Sequence, residues 1–92
     1  MASLASRVRV NEGILFQPLH GEAVLLNLKS GIYFGLDAVG TRIWELFGSH
    51  ELLSDVAQAI VSEYDVTPER CAQDLLALVG QLESQGLISI QS

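Results

Sequence analysis

The residues that could carry catalysis or bind a metal are two histidines, one cysteine and a scatter of carboxylates. Their spacing assembles no reaction centre. His20 and His50 fall in turn-like segments with no cysteine or second ligand at metal-binding spacing. Cys71 sits among apolar neighbours in a helical stretch, where a packed thiol is expected rather than a nucleophile. Asp55, Glu63, Asp65, Glu69, Asp74 and Glu83 spread over helix faces as solubilising charge. No G-x-S-x-G, P-loop or G-x-G-x-x-G pattern occurs, and Gly31-x-x-x-Gly35 lies in a strand. The sequence therefore points away from an enzyme, with no cofactor and no metal expected.

The chemistry that remains is that of the backbone. In Ile32–Leu36, Ile32, Phe34 and Leu36 share one strand face while Tyr33 and Gly35 share the other. The face of Leu36 is expected to meet the core, leaving Tyr33 half exposed at the sheet margin. If this strand lies at an edge, its free N–H and C=O groups form a template for an added strand, and Gly35 lets a partner approach closely.

The elements that must position this strand follow from local pattern. An apolar run Ala23–Leu28, a Lys29-Ser30-Gly31 turn and the run Ile32–Leu36 read as a hairpin. Asp37 caps a helix carrying Val39, Ile43, Leu46 and Phe47 on one face. Gly40 lies inside it, where glycine disfavours the helix by up to about 1 kcal/mol relative to alanine, so a close neighbour is expected over it. Upstream, residues 1–6 read as a loose arm, Arg7–Val10 and Ile14–Pro18 as short strands, and Asn11-Glu12-Gly13 and His20-Gly21-Glu22 as turns. The N-terminal third is thus read as one small antiparallel sheet.

Downstream, Gly48-Ser49-His50 breaks the first helix. Leu53, Val56, Ala57, Ile60, Val61 and Tyr64 mark an amphipathic second one. Thr67-Pro68-Glu69 starts a third that stops at Gly86, and Leu87–Ile90 alternates as a terminal strand. The fold class is α+β, a three-stranded antiparallel sheet packed with three helices in a winged-helix-like arrangement, within a single domain 1–92. The third helix carries two apolar stripes, Cys71/Leu75/Leu78/Leu82 and Ala72/Leu76/Val79, more than one contact can bury. The spare stripe calls for cover from the N-terminal strand, a second copy of the chain or a ligand.

Composition narrows the partners. Five basic residues against eleven acidic ones give a net charge of −6, too few cations for a nucleic-acid face or an anionic membrane. A winged-helix DNA-binding protein is the disfavoured alternative, and a structural homodimer another. A single cysteine excludes an internal disulfide. No signal peptide or membrane-length apolar run occurs, so a cytoplasmic protein, monomeric or weakly dimeric, is expected.

The run Tyr33-Phe34-Gly35-Leu36-Asp37-Ala38-Val39-Gly40-Thr41-Arg42-Ile43-Trp44-Glu45-Leu46, preceded by Leu25-Leu26-Asn27-Leu28 and Ser30-Gly31, resembles the PqqD-like family. These are the small recognition domains for ribosomally made, post-translationally modified peptides. The likeness continues through Leu53-Ser54-Asp55-Val56 and Glu63-Tyr64-Asp65-Val66 to Leu82–Ile88. It implies capture of a precursor's leader segment as an extra strand on the third strand, in a groove closed by the third helix. Carried onto this chain, the peptide-binding residues are Ile32, Tyr33, Phe34, Gly35 and Leu36 on the strand and Ala72, Leu76 and Val79 on the helix. Glutamate at Val79 is then expected to abolish capture with the helices intact. Leu36-Asp37 stands where pyrroloquinoline quinone members usually have Leu-Asn. With Ile43-Trp44 it makes the chain most similar to the free-standing B proteins of lasso-peptide clusters, which implies a leader peptidase and cyclase as partners. The alternative within the family is a peptide chaperone in pyrroloquinoline quinone biosynthesis working with a radical SAM enzyme.

Overall fold

The computed structural model describes residues 2–91. Strands β1 (Arg7–Val10), β2 (Ile14–Leu19), β3 (Glu22–Asn27) and β4 (Ile32–Leu36) precede helices α1 (Ala38–Phe47), α2 (Leu53–Glu63) and α3 (Pro68–Ser84), and β5 (Ile88–Gln91) follows. The strands form two antiparallel sheets, β2-β3-β4 and β1-β5.

The expected N-terminal sheet is therefore divided. Gly13, in the left-handed region at φ 77°, turns the chain after β1, and its carbonyl accepts from Leu28 N–H at 2.9 Å. β1 instead pairs with β5 in the register Val8↔Ile90 and Val10↔Ile88. Val8 and Ile88 are buried, so the small sheet closes one side of the core. The N-terminal arm is docked rather than loose from Ser3 onward, while Met1 lies outside the described residues. The cause is the start of α2, where Leu52 at the N-cap supplies no side-chain hydrogen bond. The orphan amides of the first turn are met by the arm, Leu53 N–H donating to Ser6 O at 3.1 Å and Ser54 N–H to Leu4 O at 3.0 Å.

The β3–β4 hairpin forms as its pattern predicts, with Gly31 at φ 74° in the turn. The pairs Ala23↔Leu36, Leu25↔Phe34 and Asn27↔Ile32 fall on one face, Val24↔Gly35 and Leu26↔Tyr33 on the other. The first face carries buried Ala23, Leu25 and Leu36 toward the helices, whereas Tyr33 is 69% exposed. Leu25, Leu53, Val56, Leu75, Val79 and Leu82 are essentially inaccessible, and they join sheet and helices in one apolar core.

Each cap that positions β4 and α3 has a chemical cause. Asp37 Oδ1 accepts from Gly40 N–H at 2.7 Å, and Thr67 Oγ1 accepts from Arg70 N–H at 3.2 Å with Pro68 in the first turn. The neighbour expected over Gly40 is this cap. A Cβ there would lie 3.1 Å from Asp37 Oδ1 and 3.3 Å from Leu36 Cδ2. Glycine lets α1 start hard against the end of β4, which outweighs its poor helix propensity. Replacing Asp37 with alanine should lower unfolding free energy by about 1 kcal/mol, the usual effect of removing an N-cap side chain. Urea titration of the variant against the wild type checks this.

Candidate functional site: an open strand edge and its groove

β4 is the last strand of its sheet, paired with β3 on one side only. Its sequence, IYFGL, has no charge and no proline, the features that usually protect an edge. Two other edges, β2 and β1, are blunted. β2 carries Pro18, and β1 is partly covered by the loop before α2, through the Arg7↔Leu52 bridge and the Val8 N–H to Glu51 O bond at 2.8 Å. A Cβ at Gly35 would meet nothing within 4 Å, so there is open space over the strand at its fourth residue.

Beside this edge a groove of about 510 Å³ opens. β4 contributes Phe34, Gly35 and Leu36, and α1 contributes Val39, Gly40 and Ile43. Ile60, Tyr64 and Val66 close one end, and Cys71, Asp74, Leu78 and Gln81 of α3 form the opposite wall. The lining is mainly aliphatic and aromatic, with carboxylates at Asp37 and Asp74 and an amide at Gln81. Asp37 is committed to the α1 cap, and Asp74 pairs with Arg70 one turn back at 3.1 Å.

Three of the expected strand residues line the groove, and the three expected helix residues do not. Phe34, Gly35 and Leu36 face the groove, and Ile32 and Tyr33 extend the same edge. Val79 is completely buried in the seam Cys71–Leu75–Val79–Leu82, and it is core rather than groove wall. Ala72 and Leu76 are half-buried and lie outside the groove lining; Leu76 packs against the core. Successive helix residues point about 100° apart, so a one-residue change of seam exchanges Val79 for Leu78. With apolar residues at 71, 72, 75, 76, 78, 79 and 82, periodicity alone did not select the seam. Glutamate at Val79 would unfold the protein by burying a charge, so it does not test the groove.

Neither histidine belongs to the groove. His20 occupies the β2–β3 turn with φ 49°, and His50 Nδ1 lies 2.8 Å from Ser49 Oγ. Cys71 is buried, its Sγ 3.6 Å from Ala57 O. Burial pushes its pKa up, with a further push from Asp74. Such a thiol is a poor nucleophile.

An ion pair that pattern reading missed holds the end of the groove. Arg42 Nε and Nη2 reach both Glu63 oxygens at 2.8 and 2.9 Å, tying α1 to the last residue of α2 directly before Tyr64. The hydrogen bonds that Arg42 donates hold Glu63 below its ordinary carboxylate pKa, and the same bonds, accepted by Glu63, raise that of Arg42. The pair spans 21 residues, beyond the reach of the i,i+4 rule that would have flagged it.

With the geometry in place, comparison with known proteins is informative. The family model for coenzyme PQQ synthesis protein D (PqqD) matches residues 22–88, well over half the chain. The chain belongs to the PqqD family. Two solved structures are similar to this PqqD-family fold. TbiB1, determined in complex with the TbiA(beta) leader peptide, has a TM-score of 0.82 at 33% identity over 88% of this chain and 94% of that one. A lasso peptide synthetase B1, complexed with the leader peptide, has a TM-score of 0.80 at 29% identity over 90% and 98%. No curated protein sequence matches the chain. Among the described residues no helix is long and apolar enough to cross a membrane.

The sign of the Glu63 shift sets a pH dependence. A carboxylate whose folded pKa is depressed adds stability that is complete above its unfolded pKa and is lost as pH falls through the folded value. The melting-temperature gap between wild type and Glu63→Gln should therefore be largest near neutrality and shrink below about pH 4, where carboxylates protonate. Thermal melts from pH 7 to pH 3 check this.

Proposed function

We propose that this PqqD-family protein is a non-catalytic binding module. It captures the leader segment of a ribosomally synthesised precursor peptide as an added strand on β4, and presents it to the leader peptidase and cyclase of lasso-peptide maturation. The observation that carries this reading is the unpaired, uncharged edge of β4 opening onto an apolar groove closed by α3. The leader peptides in the two similar structures support it, and they favour the lasso assignment over pyrroloquinoline quinone synthesis.

Magnitudes divide the work between edge and groove. Ordering each leader residue costs roughly 1–2 kcal/mol of backbone entropy. Each strand hydrogen bond returns about 0.5–1.5 kcal/mol net. The two nearly cancel, so pairing alone sets direction and register but little affinity. Burying a large apolar side chain contributes about 1.5–3 kcal/mol, so two or three leader side chains in the groove supply most of the binding and the selectivity. Leu78, half-buried at the centre of the α3 wall, is placed to meet one of them.

The test is a fluorescein-labelled synthetic lasso leader titrated with the protein and followed by polarisation. Saturable binding is expected, weakened at least tenfold by Leu78→Glu with far-UV circular dichroism unchanged. Ala72→Glu, off the groove on the same helix, should stay within twofold. Equal affinity for Leu78→Glu and wild type would contradict the groove assignment.

A further inference from the structure

Resting on this reading, we propose that Asn27 is the positioning residue of the groove: it ties the turn that launches β4 to the C-terminal cap of α3, and so sets the separation between the two walls.

The two walls have little direct packing on one another. β4 packs on β3 and α1, whereas α3 packs on α2 and β5. The space between them is the groove itself, so their spacing has to be held from its ends. Asn27 stands at one of these. It is buried at the last position of β3 and uses both ends of its amide. Oδ1 accepts from Lys29 N–H at 3.0 Å and Ser30 N–H at 3.4 Å, and Asn27 O accepts from Gly31 N–H at 2.7 Å. These bonds shape the turn and hence the start of β4. Nδ2 donates to Gln85 O, the α3 C-cap carbonyl, at 3.2 Å. Among the described residues this is the only hydrogen bond from strands β2–β4 to the end of α3; the turn before β2 reaches the same end through Asn11.

The α3 terminus is shaped to admit that amide. Gly86 sits at φ 72°, and a Cβ there would lie 3.2 Å from Asn27 Nδ2. Glycine is thus required twice over, for the left-handed turn and for the room. No other side chain meets both demands as well as asparagine does. Aspartate has no donor for the carbonyl, leucine has neither donor nor acceptor, and serine is too short to span turn and cap together.

A second asparagine supplies the internal control. Asn11 Nδ2 donates to the next carbonyl of the same cap, Gly86 O, at 2.9 Å. It follows β1, in the turn that leads into β2, and among the described residues it makes no hydrogen bond to β4. Loss of Asn11 loosens the α3 cap and frees Ser89 of β5, whose hydroxyl donates to Asn11 Oδ1 at 2.6 Å, but leaves the bonds of the β3–β4 turn intact. Loss of Asn27 also frees β4 from α3.

Asn27→Ser should weaken binding of the labelled lasso leader at least tenfold while far-UV circular dichroism stays native, and Asn11→Ala should remain within twofold. Equal weakening by both, or wild-type affinity for Asn27→Ser, would overturn the positioning role. If Asn27→Ser does not fold, Asn27→Asp, which preserves size and acceptor, replaces it. A readout without leader separates this inference from the proposed function. Nitroxides at Tyr33→Cys and Gln81→Cys, in a Cys71→Ser background, report the β4–α3 distance by pulsed electron resonance. Removing the Asn27 amide should broaden and lengthen that distribution; an unchanged one would refute the tie even if no leader ever bound. Failure of the wild type to bind any leader, with the distribution altered as expected, would refute the function and leave the tie standing.

Discussion

The structure turns on a row of backbone groups with no partner strand. A strand in the middle of a sheet has both its sides paired, and an edge strand normally blunts its free side with charge, proline or cover. β4 does none of these, although β2 carries Pro18 and β1 is partly covered by the loop before α2. Water satisfies the free groups of β4 in isolation, so leaving them open is no great loss of stability. A strand that stays open, uncharged and flanked by an apolar trough is suited to accepting a peptide, because one added strand completes the sheet and fills the trough together.

The remainder of the fold keeps that trough rigid and the right width. Asp37 and Gly40 bring α1 directly off the end of β4, so the helix starts hard against the strand. The Arg42–Glu63 pair joins α1 to α2 at one end of the groove, and Asn27 joins the hairpin turn to α3. The N-terminal arm serves α2 as a cap, and β1 with β5 supports α3 from the far side of the core. Under the proposed function a preorganised groove matters, because a leader segment disordered when free would lose entropy on binding. Any ordering demanded of the protein would be subtracted from the same small surplus.

Much of this was legible in residue order. Helix boundaries followed from local chemistry, as at Asp37, Thr67-Pro68 and Gly86, because caps and turns act over three or four residues. The hairpin was legible for the same reason. What escaped notice depends on partners distant along the chain. β1 has the pattern of a strand but nothing in it names β5, and the division of the sheets turns on Gly13. The α2 start lacks a capping side chain, a hint that its amides find partners elsewhere, but the partners, Leu4 and Ser6, carry no signature. On α3 the apolar arc is so wide that Val79 and Leu78 could trade places by periodicity. Only the packing of Val79 against the core decided it. The strand lining of the groove was thus readable and its α3 lining was not.

The central claim is that a leader segment completes the sheet at β4. Amide hydrogen exchange resolved by residue tests it most directly, with the protein alone and saturated with a lasso leader peptide. The amides on the unpaired side of β4 should exchange rapidly in the free protein and become protected on binding, while those of β2 and β5 change little. Equal exchange of the β4 amides in both states, or protection appearing at the β2 edge instead, would contradict the account.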